Sequence, residues 1–280
     1  MLTLEKTDLP PRLNSVASPP ICLYVEGRPL ADILQSPAVA IVGSRKVTPY
    51  GRDLTRRFAT KLAEQGIIII SGLAFGVDSI AHQATLDAGG VTIAVLPSPL
   101  ESIYPASHRQ LAKRIVEQGG ALVTEYPAGV QSFKGNFVAR NRLIAGLSDA
   151  VLIPEAALKS GSLHTARFAL NAGRDVLAIP GNITSPTSEG TNNLIKTGAI
   201  AVTDPDDVLL ALGITPTTDK HVVASNDAER TILEALRQGV HEGSELQSIS
   251  GLSVELYNQT LTMLEITGKI RSLGANKWSL

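Results

Sequence analysis

Cysteine is nearly missing from this chain: 280 residues carry one thiol, Cys22. That excludes a disulfide framework and a cysteine-rich zinc site, and it fits a reducing cytoplasm. An excess of either charge is missing too. The 25 basic and 26 acidic residues leave a net charge of −1. A protein that coats nucleic acid by bulk charge is thereby excluded, and any nucleic-acid site must be a local patch. No run of about 18 apolar residues occurs, so no membrane span is expected. The N-terminus carries early charges and prolines in place of an apolar segment, so no signal peptide is expected. Internal repeats and low-complexity tracts are absent. So are the G-x-x-x-x-G-K-[S/T] loop, H-E-x-x-H, and a full G-x-G-x-x-G after a strand. An ATPase or an ordinary dehydrogenase would show one of these.

What is present is an apolar share of 44%, enough for a sizeable core. From Ala38 short apolar runs alternate with amphipathic stretches. Strands are predicted at 39–42, 67–71, 92–96, 121–125, 150–154, 175–179 and 200–202. Helices are predicted at 50–65, 77–88, 107–118, 138–147, 163–172, 192–196 and 206–212. This alternation predicts an α/β fold, an extended Rossmann-like and mostly parallel sheet with helices on both faces. Its ligands belong at the carboxyl ends of the strands. Residues 1–37 are proline-rich and read as an extended lead-in packed on the core, and 38–213 as the Rossmann-like domain. Residues 214–225 read as a polar linker. Residues 226–280 hold three helical stretches, 228–237, 244–249 and 253–266, and a short hairpin. That pattern predicts a small winged-helix domain.

Three strand–turn–helix junctions carry the anion-binding pattern, in which backbone N–H groups converge at a helix N-terminus. The first is Gly43-Ser44-Arg45, followed by Thr48 as a helix cap and Pro49 at the first helical position. It sets an arginine beside a helix start, although a βα turn with a solvated arginine has the same pattern. The second is the Ser71-Gly72 turn. Asp78 and His82, four residues apart beyond it, share one helical face. They can work as an acid–base pair, or Asp78 can stabilise the helix start while a backbone group holds His82. The third is Lys159-Ser160-Gly161-Ser162, where Ser162 is the expected helix cap. Between the second and third lies Phe137-Val-Ala-Arg140-Asn141-Arg142. Basic groups beside aromatics suit single-stranded nucleic acid, where bases stack and phosphates pair. Equally, these arginines can tie down Glu125 or Glu155. Two apart, Arg140 and Arg142 point to different faces, so one can bind while the other braces.

Taken in order, these segments resemble the DNA-processing protein A (DprA/Smf) family. The matching pieces are A-I-V-G-S-R at 40–45, S-G-L-A-F-G-V-D-S-I-A-H at 71–82, and I-Y-P at 103–105. They continue with R-N-R-L-I-A-G-L-S at 140–148, S-G-S-L-H-T-A at 160–166, I-P-G-N at 179–182, and G-T-N-N-L-I-K-T-G-A at 190–199. The resemblance covers about 21 to 213. It implies a Rossmann domain that binds single-stranded DNA, a homodimer, and loading of RecA recombinase during natural transformation. No cofactor and no metal are expected. The implied DNA-binding residues are Gly43, Ser44, Arg45, Ser71, Gly72, Phe137, Arg140, Asn141, Arg142, Lys159, Ser160, Gly161 and Ser162.

The chain departs from the family pattern in three places. Where the family carries G-x-G after the third strand, this chain has Pro97-Ser98-Pro99, which lacks both positive φ and the N–H donors. Only a short stretch, Leu9 to Tyr24, stands where many members carry a helical domain. From Asp227 onward seven acids face five bases, and 253–266 contains two glutamates and no base. Phosphate contacts dominate DNA affinity, so protein contact is the expected role of this module, with Lys269, Arg271 and Lys277 as its remaining bases for DNA. The expectation is a non-enzymatic single-strand-binding protein. The alternatives are a nucleotide or phosphoribosyl hydrolase on a related scaffold and a nucleotide-sensing regulator. Against the hydrolase stands Phe168, which occupies the place of the acid that such enzymes carry three residues after the threonine, here Thr165.

Overall fold

The computed structural model describes residues 2–215 and 224–280, so most of the linker expected at 214–225 lies outside the described residues. The chain divides into two compact units at Thr215.

The first unit is built on a nine-stranded sheet. In chain order its elements are β1 (Leu2–Glu5), β2 (Cys22–Gly27), α1 (Leu30–Ile33), β3 (Ala38–Ile41), α2 (Pro49–Glu64), β4 (Ile68–Ser71), α3 (Val77–Asp87) and β5 (Thr92–Val95). They continue with α4 (Arg109–Glu117), β6 (Ala121–Thr124), α5 (Lys134–Leu147), β7 (Ala150–Ile153), α6 (Ser162–Asn171), β8 (Asp175–Ala178), α7 (Glu189–Lys196), β9 (Ile200–Ala201) and α8 (Pro205–Ala211). The strand order is β1-β2-β6-β5-β4-β3-β7-β8-β9. All pairs from β6 through β9 are parallel. The expected α/β class with a mostly parallel sheet is what forms.

The central strands are buried on both faces because helices cover both. Along β3, Ala38 and Ala40 face one core with Leu143, Ile144 and Ala166 of α5 and α6. Val39 and Ile41 face the other with Phe58, Leu62 and Val77 of α2 and α3. Period-two alternation of apolar residues into two separate cores makes each strand an unbroken apolar run.

The lead-in contributes more than packing. Cys22–Gly27 pairs antiparallel with β6, and Leu2–Glu5 pairs antiparallel with β2, so residues 1–37 extend the sheet by two strands. Leu23 and Val25 are buried between exposed or half-buried neighbours. An alternation of only two apolar residues among prolines gives too little periodicity to read as a strand. Gly146 on α5 lets this segment approach, since a Cβ there would lie 2.2 Å from Val16.

The second unit holds α9 (Asp227–Arg237), α10 (Gly243–Ser250), α11 (Val254–Ile266) and an antiparallel hairpin, β10 (Arg271–Gly274) with β11 (Lys277–Ser279). Ile232, Leu236, Leu246, Leu261, Leu264 and Ile270 form its core. The Ser253 hydroxyl caps α11 as expected, accepting from the Leu256 N–H at 3.3 Å. Lys269 is used internally, donating to the buried Glu229 carboxylate at 2.6 Å. Of the three bases expected to remain for DNA, Arg271 and Lys277 are left.

Candidate nucleic-acid interface

The sheet order reverses between β3 and β7. From β3 the chain winds outward through β4, β5 and β6, then returns to place β7 on β3's other side. In such sheets the crevice beyond the carboxyl ends at the reversal is where ligands sit. The loops leaving β3 and β7 are Gly43–Thr48 and Pro154–Gly161, so topology brings the first and third predicted turns together.

The β3 loop is held from beneath. The Ser44 N–H donates to the Glu155 carbonyl at 2.8 Å, and the Ser44 carbonyl accepts from the Val77 N–H at 3.1 Å. The buried Glu155 carboxylate accepts from the Thr48 N–H at 3.1 Å and from the Thr48 hydroxyl. Thr48 caps α2, accepting from the Gly51 N–H at 3.2 Å, with Pro49 opening the helix. Gly76 is needed for this closeness: its φ is +78°, and a Cβ there would lie 2.2 Å from the Ser44 carbonyl. With the backbone pinned, Arg45 and Lys46 stand exposed at the tip.

The Ser71-Gly72 turn is clamped rather than open. The Gly72 N–H donates to the Asp78 carboxylate at 3.1 Å, while the Gly72 carbonyl accepts from Arg140 at 2.7 Å. Arg140 also donates to the Val95 carbonyl, so one guanidinium joins the ends of β4 and β5. Both charges are buried, and they stabilise each other across the turn. Burial lowers the Arg140 pKa to about 10, against the pull of Asp78. Burial likewise raises the Asp78 carboxyl above its ordinary range, with Arg140 working in the opposite direction. The Ser71 hydroxyl donates to the Ile41 carbonyl at 2.6 Å and is buried. Asp78 and His82 share a helical face without bonding to each other. His82 is held by a hydroxyl, not by the backbone group expected: its Nδ1 lies 2.7 Å from Thr92 Oγ1.

Helix α5 begins at Lys134, four residues earlier than predicted, because Gly135 and Asn136 are weak helix formers that hide its first turn. Phe137, Arg140 and Asn141 therefore lie within one helix at spacings of three and four, on one face. Arg142 points elsewhere and grips Glu125 with two bonds of 3.0 and 2.6 Å. Phe137 carries the Arg45 guanidinium 5.6 Å from its ring centroid and meets Tyr104 edge-on at 5.2 Å. Phe75 and Phe133 are further exposed aromatics, the former edge-on to His108 at 4.9 Å. Below β7, the Ser160 and Ser162 hydroxyls bond at 2.8 Å. Ser162 is the first residue inside α6, and Gly161 occupies the cap position assigned above to Ser162.

Ten of the thirteen predicted residues line one pocket of about 550 Å³: the Gly43–Arg45 turn, Phe137, Arg140, Asn141 and the Lys159–Ser162 loop. Ser71, Gly72 and Arg142 do not line it; the first two form the turn behind Arg140. Lys46 and Thr187 line it without having been predicted, as does Asp78, which the sequence offered as an acid–base partner of His82 and not as a DNA-binding residue. Lys46 was legible as the neighbour of Arg45, whereas Thr187 arrives from the loop after β8 with no local signal. The Pro97-Ser98-Pro99 turn stays outside the pocket lining, with Ser98 donating to the Ser102 carbonyl at 2.6 Å. Among the described residues there is no group of three histidine, cysteine or acidic side chains able to hold a metal ion. No helix among them is long and apolar enough to cross a membrane.

Comparison with known proteins gives a consistent result. The family model described as DNA recombination-mediator protein A matches residues 1–213. Protein Smf of Escherichia coli K12 is 50% identical over 200 residues, which is 71% of this chain and 53% of that protein. The chain thus spans about half the length of this curated relative. The X-ray structure of DNA processing protein A from Streptococcus pneumoniae superposes with a TM-score of 0.70 at 39% identity, covering 75% of this chain and 73% of that one. A structure of DNA processing protein A from Helicobacter pylori, which concerns that protein's single-stranded DNA binding mode, gives 0.68 at 37% identity, covering 75% and 94%.

Proposed function

Since the chain belongs to the DNA recombination-mediator protein A family, we propose that its pocket binds single-stranded DNA. The observation that carries this is the pairing of uncommitted cations with aromatics at the pocket mouth. Arg45, Lys46 and Lys159 have no ion-pair partner among the described residues. Beside them Phe137 and Tyr104 offer ring faces and edges. Cations serve phosphates and rings serve bases of any sequence, which is the chemistry of single-strand grooves. In this reading the protein acts in the cytoplasm as a homodimer, protects incoming strands and promotes the loading of RecA in natural transformation and recombination.

Arg45→Ala is expected to weaken binding of a labelled oligothymidylate by about 1–3 kcal/mol, as for loss of a charge-assisted bond. Wild-type affinity should fall as salt rises. An anisotropy titration at low salt decides: wild-type affinity in the variant removes the β3 loop from the site.

The reading is also non-enzymatic. Phe168 stands where a hydrolase would carry its acid, and it packs half-buried against the core. Asp78 is engaged by the Gly72 N–H. Incubation with nucleoside monophosphates should release no free base above background. Multiple turnover that disappears in Asp78→Ala would convert the pocket into an active site.

A further inference from the structure

A second polar groove, of about 480 Å³, runs between α2 and α3 and is lined by Arg52, Arg56, Thr60, Ser79, Gln83 and Asp87 among others. It starts beside the pocket. Arg52 lies on the first turn of α2, its N–H donating to the Thr48 carbonyl at 2.9 Å. Ser79 lies one residue beyond Asp78 of the pocket lining, on the turn of α3 whose Gly76 packs against the backbone of Ser44 and Arg45. Arg52 and Arg56 are four residues apart on one helical face, about 6 Å along the axis. Both are exposed, and neither has an ion-pair partner among the described residues. Their helix neighbour Arg57, by contrast, is committed to Asp204. The one carboxylate in the groove, Asp87 at the far end, is neutralised by Arg114 at 2.8 Å.

We propose that this groove is a second phosphate track, which takes up the same nucleic-acid strand after it leaves the pocket over Arg45. Arg52 and Arg56 hold successive phosphates, and Ser79, Thr60 and Gln83 supply neutral donors between them. No aromatic side chain lines this groove. The track therefore grips backbone without stacking bases, whereas the pocket does both. A strand that fills only the pocket never reaches it, so the proposal makes site size, not intrinsic pocket affinity, depend on α2.

The inference rests on the single-strand reading of the pocket, and strand length separates the two. The test compares the full chain with Arg52→Gln/Arg56→Gln, glutamine removing the charge while keeping helix propensity. The probes are labelled oligothymidylates of roughly 4 and roughly 16 nucleotides, the ends of the site-size range for single-strand grooves. The double variant should bind the short strand as the wild type does, which also reports an intact fold. On the long strand it should bind about tenfold more weakly. Its plot of log affinity against log salt should be shallower by about 1.4, at about 0.7 per phosphate contact. Equal long-strand affinity and slope in the two proteins would overturn the track and leave the pocket standing. Failure of the wild type to bind either strand would overturn the pocket reading, and the track with it.

Discussion

Arg140→Ala is expected to destabilise the first unit by about 3–5 kcal/mol, the range for breaking a buried charge arrangement by removing one partner. Three groups lose their partner at once. The carbonyls of Gly72 and Val95 lose their donor, and Asp78 is left as a buried carboxyl without its compensating cation. Most of the loss is the desolvation of what remains, so Arg140→Ala/Asp78→Ala should cost less than the sum of the single changes. Circular dichroism during urea unfolding is the measurement. Trp278, the sole tryptophan, belongs to the second unit, and its fluorescence follows that unit instead. A shift below about 1 kcal/mol would show that the guanidinium is dispensable to the fold. It would then have to be counted as a direct ligand group.

The second large effect is acid sensitivity originating at His82. The Thr92 hydroxyl donates its one proton to the Ile69 carbonyl at 2.6 Å, so it must accept from His82 Nδ1–H. Nε2 is then a bare lone pair, buried and without a partner among the described residues. Protonating it would bury an unpaired charge, and burial lowers the His82 pKa from 6.5 to about 3, with the nearby Arg140 charge adding to the effect. In the unfolded chain the ring titrates normally. Between those two values the unfolded state binds more protons, so stability is full above about pH 6.5 and declines as pH falls toward 3. The slope is about 1.4 kcal/mol per unit, giving a loss of about 2 kcal/mol between pH 7.5 and pH 5. Asp78 works the opposite way, because its raised pKa recovers stability on acidification. The readout is therefore the difference in slope between wild type and His82→Gln, each unfolded in urea at several pH values. Parallel profiles would sink the assignment.

Local chemistry made most of this architecture legible. Unbroken runs such as Ile67–Ile70 and Ala150–Ile153 are too short for buried helices and read as strands buried on both faces, alternating with amphipathic helices of which α2 and α8 carry side-chain caps. Thr48-Pro49 and Ser253 mark helix starts through cap bonds to backbone N–H groups three residues on. The N-terminal hairpin was not legible, because β2 joins the sheet through a partner about a hundred residues away. In the site, loop residues were recognisable by glycine, serine and arginine at strand ends. The division of labour between arginines was not. Arg140 and Arg142 differ by two positions, and only the packing of α5 against its neighbours decides which turns toward the pocket and which toward Glu125. The partners of Arg140 are backbone carbonyls of two other strands, which no side-chain pattern announces.

The bonds from Glu155 to the β3 loop also bear on the entropy of association. Ordering a flexible backbone costs about 1–2 kcal/mol per residue. Were Gly43–Thr48 mobile before contact, fixing six residues would cancel most of the attraction that Arg45 and Lys46 supply. Folding has already set the loop's conformation, through the Glu155 carboxylate and carbonyl, which accept from it, and the Val77 N–H, which donates to it. On the proposed reading, Glu155 contributes to affinity without touching the strand: it removes the conformational freedom that the strand would otherwise have to quench.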